Sequence, residues 1–243
     1  MSAVYESPTI LAEYLLFHYG SADEVLPPHE SWPIGMGDAL DFAVRTPSYF
    51  SNPQTNRGLD LGCAVGRSTY EMSRTCGHVI GMDYSHAFIN AAQLLRSGKS
   101  IPYPRHDEGH LETLLEATLP EDVYPHKTGF FQGDAMRLPN DIGSFDRVHA
   151  ANLLCRLTDP ELLLKRLPDL VGTGGQLVIA TPCTWLAAFT PPDHWPPGDT
   201  LSWLKNHLCD HFELITEANE PFLIRETARK FQWTRSLVTV WQK

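Results

Sequence analysis

The stretch GLDLGCAVGRST, Gly58 to Thr69, decides the fold. It is an apolar run with an acid inside it, then a glycine-bearing turn, then residues suited to open a helix. A strand that runs through a Gly-rich turn into a helix is the outline of a nucleotide-type loop. The dinucleotide fingerprint G-x-G-x-x-G is not met. The glycines stand at Gly62 and Gly66 with Cys-Ala-Val between them, and Asp60 sits at the strand end. Gly62 allows a tight turn, and Gly66 allows close approach of the backbone to a ligand.

Outward from this loop, strand-length apolar runs alternate with helical patterns. The strands are GLDLGCA, HVIGMDY, GFFQGDA, FDRVHAANL and GQLVIATPC; the helices are RSTYEMSRTCG, SHAFINAAQLLRSG and DPELLLKRLPDL. Such alternation predicts a parallel sheet covered by helices on both faces. Residues 98–127 read as an insertion carrying a short helix. TWLAAFTPPDHWPPGDT reads as a lid or substrate loop and DTLSWLKNHLCDHF as a helix. FELITEANE and SLVTVWQK read as two closing strands joined by PFLIRETARKFQW. Ahead of the loop, PTILAEYLLFHYG reads as a helix ending at Gly20. The expected organisation is one domain, 1–243: a helical cap at 1–56, a cofactor-binding core at 57–183, and a lid loop, helix and last two strands at 184–243.

In an open parallel sheet the ligand lies outside the carboxyl ends of the strands. Asp83 ends the second strand, where an acid can accept both hydroxyls of a ribose. Asp134 ends the third, where it can accept from an adenine amino group. Asp60 in the loop would repel a diphosphate and suit a cation. S-adenosylmethionine carries an ammonium and a sulfonium and no phosphate. Each acid alone is more often a solvated strand end or a helix cap; the three together with the turn are far more specific.

These motifs resemble the class I S-adenosylmethionine-dependent methyltransferases: LDLGCAVG, VIGMDYS, FQGDA, FDRVHAANLLCRL and LPDLVGTGGQLV. The resemblance implies an α/β, Rossmann-like three-layer sandwich. Its seven-stranded sheet has the order 3-2-1-4-5-7-6 with strand seven antiparallel. It also implies S-adenosylhomocysteine as product, no metal, and cofactor contacts from Asp60, Gly62, Cys63, Gly66, Arg67, Asp83, Tyr84, Asp134, Ala135 and Asn152.

A narrower set of stretches, EYLLFHYG, DYSHAFINAAQ, AANLLCRLTDP, TPCTWLAAFTP and PFLIRETARKFQW, resembles the 4-mercaptohistidine N1-methyltransferases. These form the C-terminal domain of the ovothiol synthase. The resemblance implies methylation of the side-chain-proximal ring nitrogen of 5-thiohistidine. An iron-dependent sulfoxide synthase domain usually precedes this one and does not here. The expectation is therefore a stand-alone enzyme or an excised domain, in functional partnership with a separate sulfur- or selenium-inserting synthase. The selenium analogue and other small amines are alternative acceptors, and a non-catalytic cofactor-binding partner module is the alternative of another class.

Thiohistidine offers one sulfur and two ring nitrogens, so the site must hold sulfur off the attack line and leave the target nitrogen unprotonated. His18, Tyr19 and Asn152 are the candidate catalytic residues, with His18 and Tyr19 first as a base. Tyr14, Arg45, Arg156, Arg225 and Trp233 are candidates for the substrate. Tyr14, His18 and Tyr19 share roughly one helix face, and an aromatic docking stripe is the alternative reading. Arg156 suits the substrate carboxylate or thiolate, or a pairing with Asp159. Arg225 and Trp233 are placed by this reading in an insertion closing the acceptor pocket; Arg229 beside them reads as a surface ion pair.

Bulk properties set the limits. The chain has 243 residues and a formal net charge of −10. An acidic surface repels phosphate backbones, which argues against nucleic acid. Five cysteines without a C-x-x-C pair fit reduced thiols in the cytoplasm. MSAVYESPTI lacks a basic stretch before an apolar one, so no leader is read, and no run reaches membrane-span length. SGKS follows a helix and has Gln93 where a P-loop needs its first glycine. HDEGH has the wrong order for a zinc motif. A short-chain oxidoreductase would need Tyr-x-x-x-Lys, and Lys127 follows Tyr124 at the wrong spacing.

Overall fold

The computed structural model describes residues 3–243, so the start of MSAVYESPTI lies outside it. Its helices are α1 (Pro8–Tyr19), α2 (Ala22–Val25), α3 (Phe42–Arg45), α4 (Arg67–Met72), α5 (His86–Arg96), α6 (Pro160–Leu170) and α7 (Thr200–Leu208). Its strands are β1 (Thr55–Leu61), β2 (Cys76–Asp83), β3 (Ile101–Glu108), β4 (Leu111–Ala117), β5 (Thr128–Gln132), β6 (Phe145–Ala151), β7 (Val171–Thr181), β8 (Glu213–Arg225) and β9 (Phe231–Gln242). Seven strands form one sheet in the order β5-β2-β1-β6-β7-β9-β8, with β9 antiparallel to both neighbours. Counted along the chain, that is the expected 3-2-1-4-5-7-6 with a reversed last strand.

Both faces of the sheet are covered. On one, Leu163, Leu164 and Leu167 of α6 and Trp203, Leu204 and Leu208 of α7 pack on Leu59, Val148 and Leu177. On the other, Leu15 and Leu16 of α1 and Phe88, Ala92 and Leu95 of α5 form a second core with Tyr70 and Phe130. The start of α5 is fixed twice. Ser85 caps it by accepting from the Phe88 N–H at 3.1 Å, and the Glu6 carboxylate accepts from the His86 and Ala87 N–H groups.

Two expectations are corrected. The insertion between the second and third sheet strands carries an antiparallel hairpin, β3–β4, and no α-helix, only a single 3-10 turn at Pro125–Lys127. LETLLEA has helical propensity, but its partner strand holds Pro102 and Pro104, which cannot continue a helix. Tyr103 and Ala117 are buried against the cap and the neighbouring residues of each strand face outward, the period-two pattern of a half-buried ribbon. HDEGH forms its turn, with Gly109 at φ +58. PFLIRETARKFQW is likewise no insertion: the closing strands simply run on through it, pairing as far as Arg225 with Phe231.

Arg225 therefore lies in β8 and is buried. Its guanidinium donates to the Val25 carbonyl at 2.9 Å and to the Asp107 carboxylate at 3.1 Å. Arg105 joins the same carboxylate at 2.8 Å and reaches the Glu24 carbonyl. This cluster ties the hairpin, α2 and the closing strand together.

Candidate functional site

β1 delivers the chain to the loop Gly62–Gly66, where both glycines have positive φ, +71 and +91. A Cβ on Gly66 would stand 2.8 Å from the Phe130 ring, so only glycine fits. The loop's amides turn inward. Gly62 and Cys63 donate to the Met82 carbonyl, Ala64 donates to the Asp83 carboxylate at 2.9 Å, and Gly66 donates to the Cys63 carbonyl. A diphosphate is gripped by outward-facing amides, and these four are engaged. Four of the five loop amides are therefore already engaged within the protein.

Above the loop and the ends of β2 and β6 is a cavity of about 660 Å³, within the ~300–1,000 Å³ of small-molecule sites. Its walls are largely aromatic: Tyr5, Tyr14, Phe17, Phe42, Phe88, Phe189 and Phe222. Polar side chains are interspersed, among them Glu6, Glu13, Ser68, Asp83 and Asn152. Arg156 is the single lysine or arginine lining it among the described residues. Its guanidinium lies 4.6 Å from the Phe189 ring centre, donates to the Cys155 and Thr184 carbonyls, meets the Cys155 sulfur, stands beside the Tyr5 hydroxyl, and has no carboxylate partner among the described residues. Asp159, the alternative partner, stands instead near His194.

At the base of the cavity, Asp60 and His149 face each other across the β1–β6 register. Both are fully buried. One Asp60 oxygen accepts from the Ser68 and Thr69 hydroxyls at 2.7 and 2.6 Å; the other meets His149 Nδ1 at 2.8 Å. Burial raises the Asp60 carboxyl, but His149 and these hydrogen bonds outweigh it and hold the group below its ordinary value. His149 lines the cavity, and its Nε2 has no partner.

The structure sorts the residues expected from sequence. Gly62, Asp83, Tyr84, Ala135, Asn152, Tyr14, His18 and Arg156 all line the cavity. Asp83 accepts from the Ala64 and Ser85 N–H groups, and its carboxyl is pushed up to about 6, chiefly by burial. His18 is half-buried, its Nδ1 is buried without a partner, and desolvation lowers its pKa to about 3. Asn152 takes a left-handed conformation (φ +53), and its side chain accepts from the Ser236 hydroxyl.

Others are turned elsewhere. Both Asp60 oxygens are engaged inside the protein, so a cationic ligand does not meet them directly. Cys63 is buried beneath the loop. Arg67 pairs with Glu71, and Asp134 accepts from the Met136 N–H. Tyr19 donates to the Val65 carbonyl at 2.8 Å, supporting the loop from behind; it is a strut and no base. Arg45 is paired with Glu220 and donates to the Leu40 and Pro221 carbonyls. Arg225 is held in the hairpin cluster, and Trp233 is half exposed on β9, away from the cavity. Sequence reasoning missed His149, Ser68, Tyr5 and Phe189. A histidine inside the apolar strand FDRVHAA was the available signal for the first, since buried histidines need a partner.

No group of three or more His, Cys, Asp or Glu among the described residues is placed to hold a metal. No helix there is long and apolar enough to cross a membrane.

A doubly wound sheet with one reversed strand, an acid at the end of β2, and a glycine-bearing first loop define a class I S-adenosylmethionine-dependent methyltransferase. The comparisons agree. Residues 37–233 match the model of the methyltransferase domain family, and the chain belongs to that family. A ubiquinone biosynthesis O-methyltransferase of Hahella chejuensis (strain KCTC 2396) is 24% identical over 226 residues, 84% of this chain and 81% of the relative. The N-methyltransferase NodS from Bradyrhizobium japonicum WM9, in complex with S-adenosylhomocysteine, superimposes with a TM-score of 0.56 at 13% identity. That match covers 96% of this chain and 98% of NodS. A structure concerned with conversion of a disulfide bond into a thioacetal group during echinomycin biosynthesis gives 0.57 at 14% identity, covering 98% and 93% of the two chains.

Proposed function

We propose that the protein methylates the side-chain-proximal imidazole nitrogen of 5-thiohistidine. The observation that carries this is the Arg156 guanidinium, without a carboxylate partner among the described residues, in an aromatic-walled chamber that also holds two histidines with a buried, unpartnered ring nitrogen each. A guanidinium without a carboxylate partner suits the carboxylate of a free amino acid. Aromatic walls suit a flat ring, and histidine nitrogens suit a heterocycle that donates and accepts hydrogen bonds. The resemblance in EYLLFHYG, AANLLCRLTDP and PFLIRETARKFQW supports the same acceptor. The selenium analogue presents the same ring and carboxylate. The Hahella relative, an O-methyltransferase, supports a second reading, an oxygen atom as acceptor.

S-adenosylmethionine supplies an activated methyl group. On the protein side, of the residues lining the cavity, Asp83 would hold the ribose hydroxyls, Gly133 and Ala135 the adenine, and Gly62 and Asn152 the methionine part. Arg156 and the aromatic walls hold the acceptor in line, and orientation supplies much of the rate.

The test is a mass-spectrometric assay with S-adenosylmethionine and 5-thiohistidine, 5-selenohistidine, histidine and catechol in parallel, with NMR of the product for regiochemistry. Methylation of histidine alone, or of catechol alone, overturns the thiohistidine assignment. Arg156→Met is expected to raise the acceptor KM about 100-fold, the loss of a charged hydrogen-bonded pair at ~3 kcal/mol. S-adenosylhomocysteine affinity should stay unchanged; an unaltered KM removes Arg156 from the acceptor site.

Asp83 gives a pH signature. Its carboxyl titrates near 6 in the free protein, and ribose hydroxyls donate to its ionised form. A proton therefore competes with the ligand, and affinity is lost as pH falls through that value. Calorimetry with S-adenosylhomocysteine should show constant affinity above about pH 7 and a roughly tenfold loss at pH 5. A flat profile from pH 5 to 8 contradicts it.

A further inference from the structure

We propose that His149, oriented by Asp60, takes the proton that the acceptor gives up as it is methylated. This rests on the chain being an S-adenosylmethionine-dependent methyltransferase and is independent of which acceptor it uses.

Four observations carry it. His149 lines the cavity although it is fully buried. Its Nδ1 is 2.8 Å from an Asp60 oxygen. An ionised carboxylate can only accept here, so Nδ1 carries the hydrogen, and in the neutral imidazole Nε2 is left with its lone pair. That Nε2 is buried without a partner, a costly arrangement unless a ligand completes it. Finally, Asp60 is itself locked by Ser68 and Thr69, so it cannot swing away and the tautomer is fixed.

The competing groups lack this arrangement. His18 has a free Nδ1 but no carboxylate beside it, and burial leaves it neutral with a pKa of about 3. It can hydrogen-bond an acceptor ring and cannot keep a proton near neutral pH. The Asp83 carboxylate is held by two amides at the cofactor end. Tyr14 is buried, with its hydroxyl pKa raised far above the neutral range.

In the step, the acceptor heteroatom forms its bond to the methyl carbon as the sulfur–carbon bond breaks, with that bond's electron pair remaining on sulfur. The acceptor's own proton passes to Nε2. The resulting imidazolium is neutralised by Asp60, and the proton leaves to solvent when products depart. Asp60 is thus a positioning residue and His149 the catalytic one. Charged and titratable groups within electrostatic reach of Asp60 are Cys63 on the loop, Asp83 on β2 and His18 on α1, and Arg67 on α4 acts in turn on His18.

The experiment compares wild type with His149→Asn. With whichever of the four acceptors wild type methylates, kcat should fall by about 10²–10⁴-fold, the usual scale of general-base catalysis. S-adenosylhomocysteine affinity should stay within about threefold, and the residual rate should climb with pH without the plateau of wild type. A kcat within threefold of wild type overturns the proposal. So does a cofactor affinity that falls in step with the rate, which would make His149 a cofactor-holding group. The second measurement needs no acceptor and no variant: ¹⁵N NMR of labelled full-length protein with S-adenosylhomocysteine bound. His149 should show the neutral Nδ1–H tautomer at pH 8. An Nε2–H tautomer, or an imidazolium persisting to pH 9, overturns the proposal. If wild type methylates none of the four, the acceptor assignment fails alone and the tautomer still decides the role of His149.

Discussion

Asp83→Ala should leave a folded protein that binds S-adenosylhomocysteine 10²–10⁴-fold more weakly. A hydrogen bond to a charged group contributes ~1.5–3 kcal/mol, and a ribose offers two hydroxyls, so about 3–6 kcal/mol is at stake. The same carboxylate also receives the Ala64 amide, so its loss frees the first loop as well as the ribose contact. Calorimetry on the purified variant, with a melting curve to show that it is folded, makes the measurement. A change of less than fivefold would falsify the placement of the ribose at the end of β2.

Asp60→Ala has its largest effect on stability. Truncation strands the Ser68 and Thr69 hydroxyls and His149 Nδ1 in a buried site. Breaking such a network costs about 3–5 kcal/mol, or roughly a 10 °C fall in melting temperature for a chain of this size. Denaturant unfolding followed by circular dichroism measures it; a loss below 1 kcal/mol would show that the network is slack. Because the Asp60 carboxyl is held below its ordinary value, its ionised-state contribution is present at neutral pH. It is lost in acid as the pH falls from the ordinary value through the depressed one.

Asp60 also shows where sequence reading stops. Asp60 stands in β1 just ahead of the Gly62–Gly66 loop, and its carboxylate is engaged by Ser68, Thr69 and His149 instead of being offered to a cationic ligand. The acid acts on the cavity through His149. Strand–helix alternation was legible because each element's period is local. The β3–β4 hairpin was not, because LETLLEA is helical in propensity and only pairing with IPYPRHDE makes it a strand. Asp83 could be placed beside the cavity because a strand end fixes where a side chain emerges, whereas Asp60 and Asp134 are engaged within the protein. Helix faces were less readable: His18 and Tyr19 are neighbours, yet one turns to the cavity and the other to the Val65 carbonyl. The arginines were the hardest. Arg45 and Arg225 find their partners, Glu220 and Asp107, more than a hundred residues away, and nothing local announces such pairings.

The Arg225 cluster has a consequence for how this chain can vary. The hairpin looks like a dispensable ornament on the sheet, added between two ordinary strands. Yet its Asp107 neutralises a cation buried in the closing strand. A descendant that deleted the hairpin would keep an unpaired guanidinium in its interior, and one that lost the arginine would leave Asp107 and the Val25 carbonyl short of a donor. Ornament and closing strand are therefore inherited as a pair, and a shorter homologue should carry an uncharged residue where this chain has Arg225.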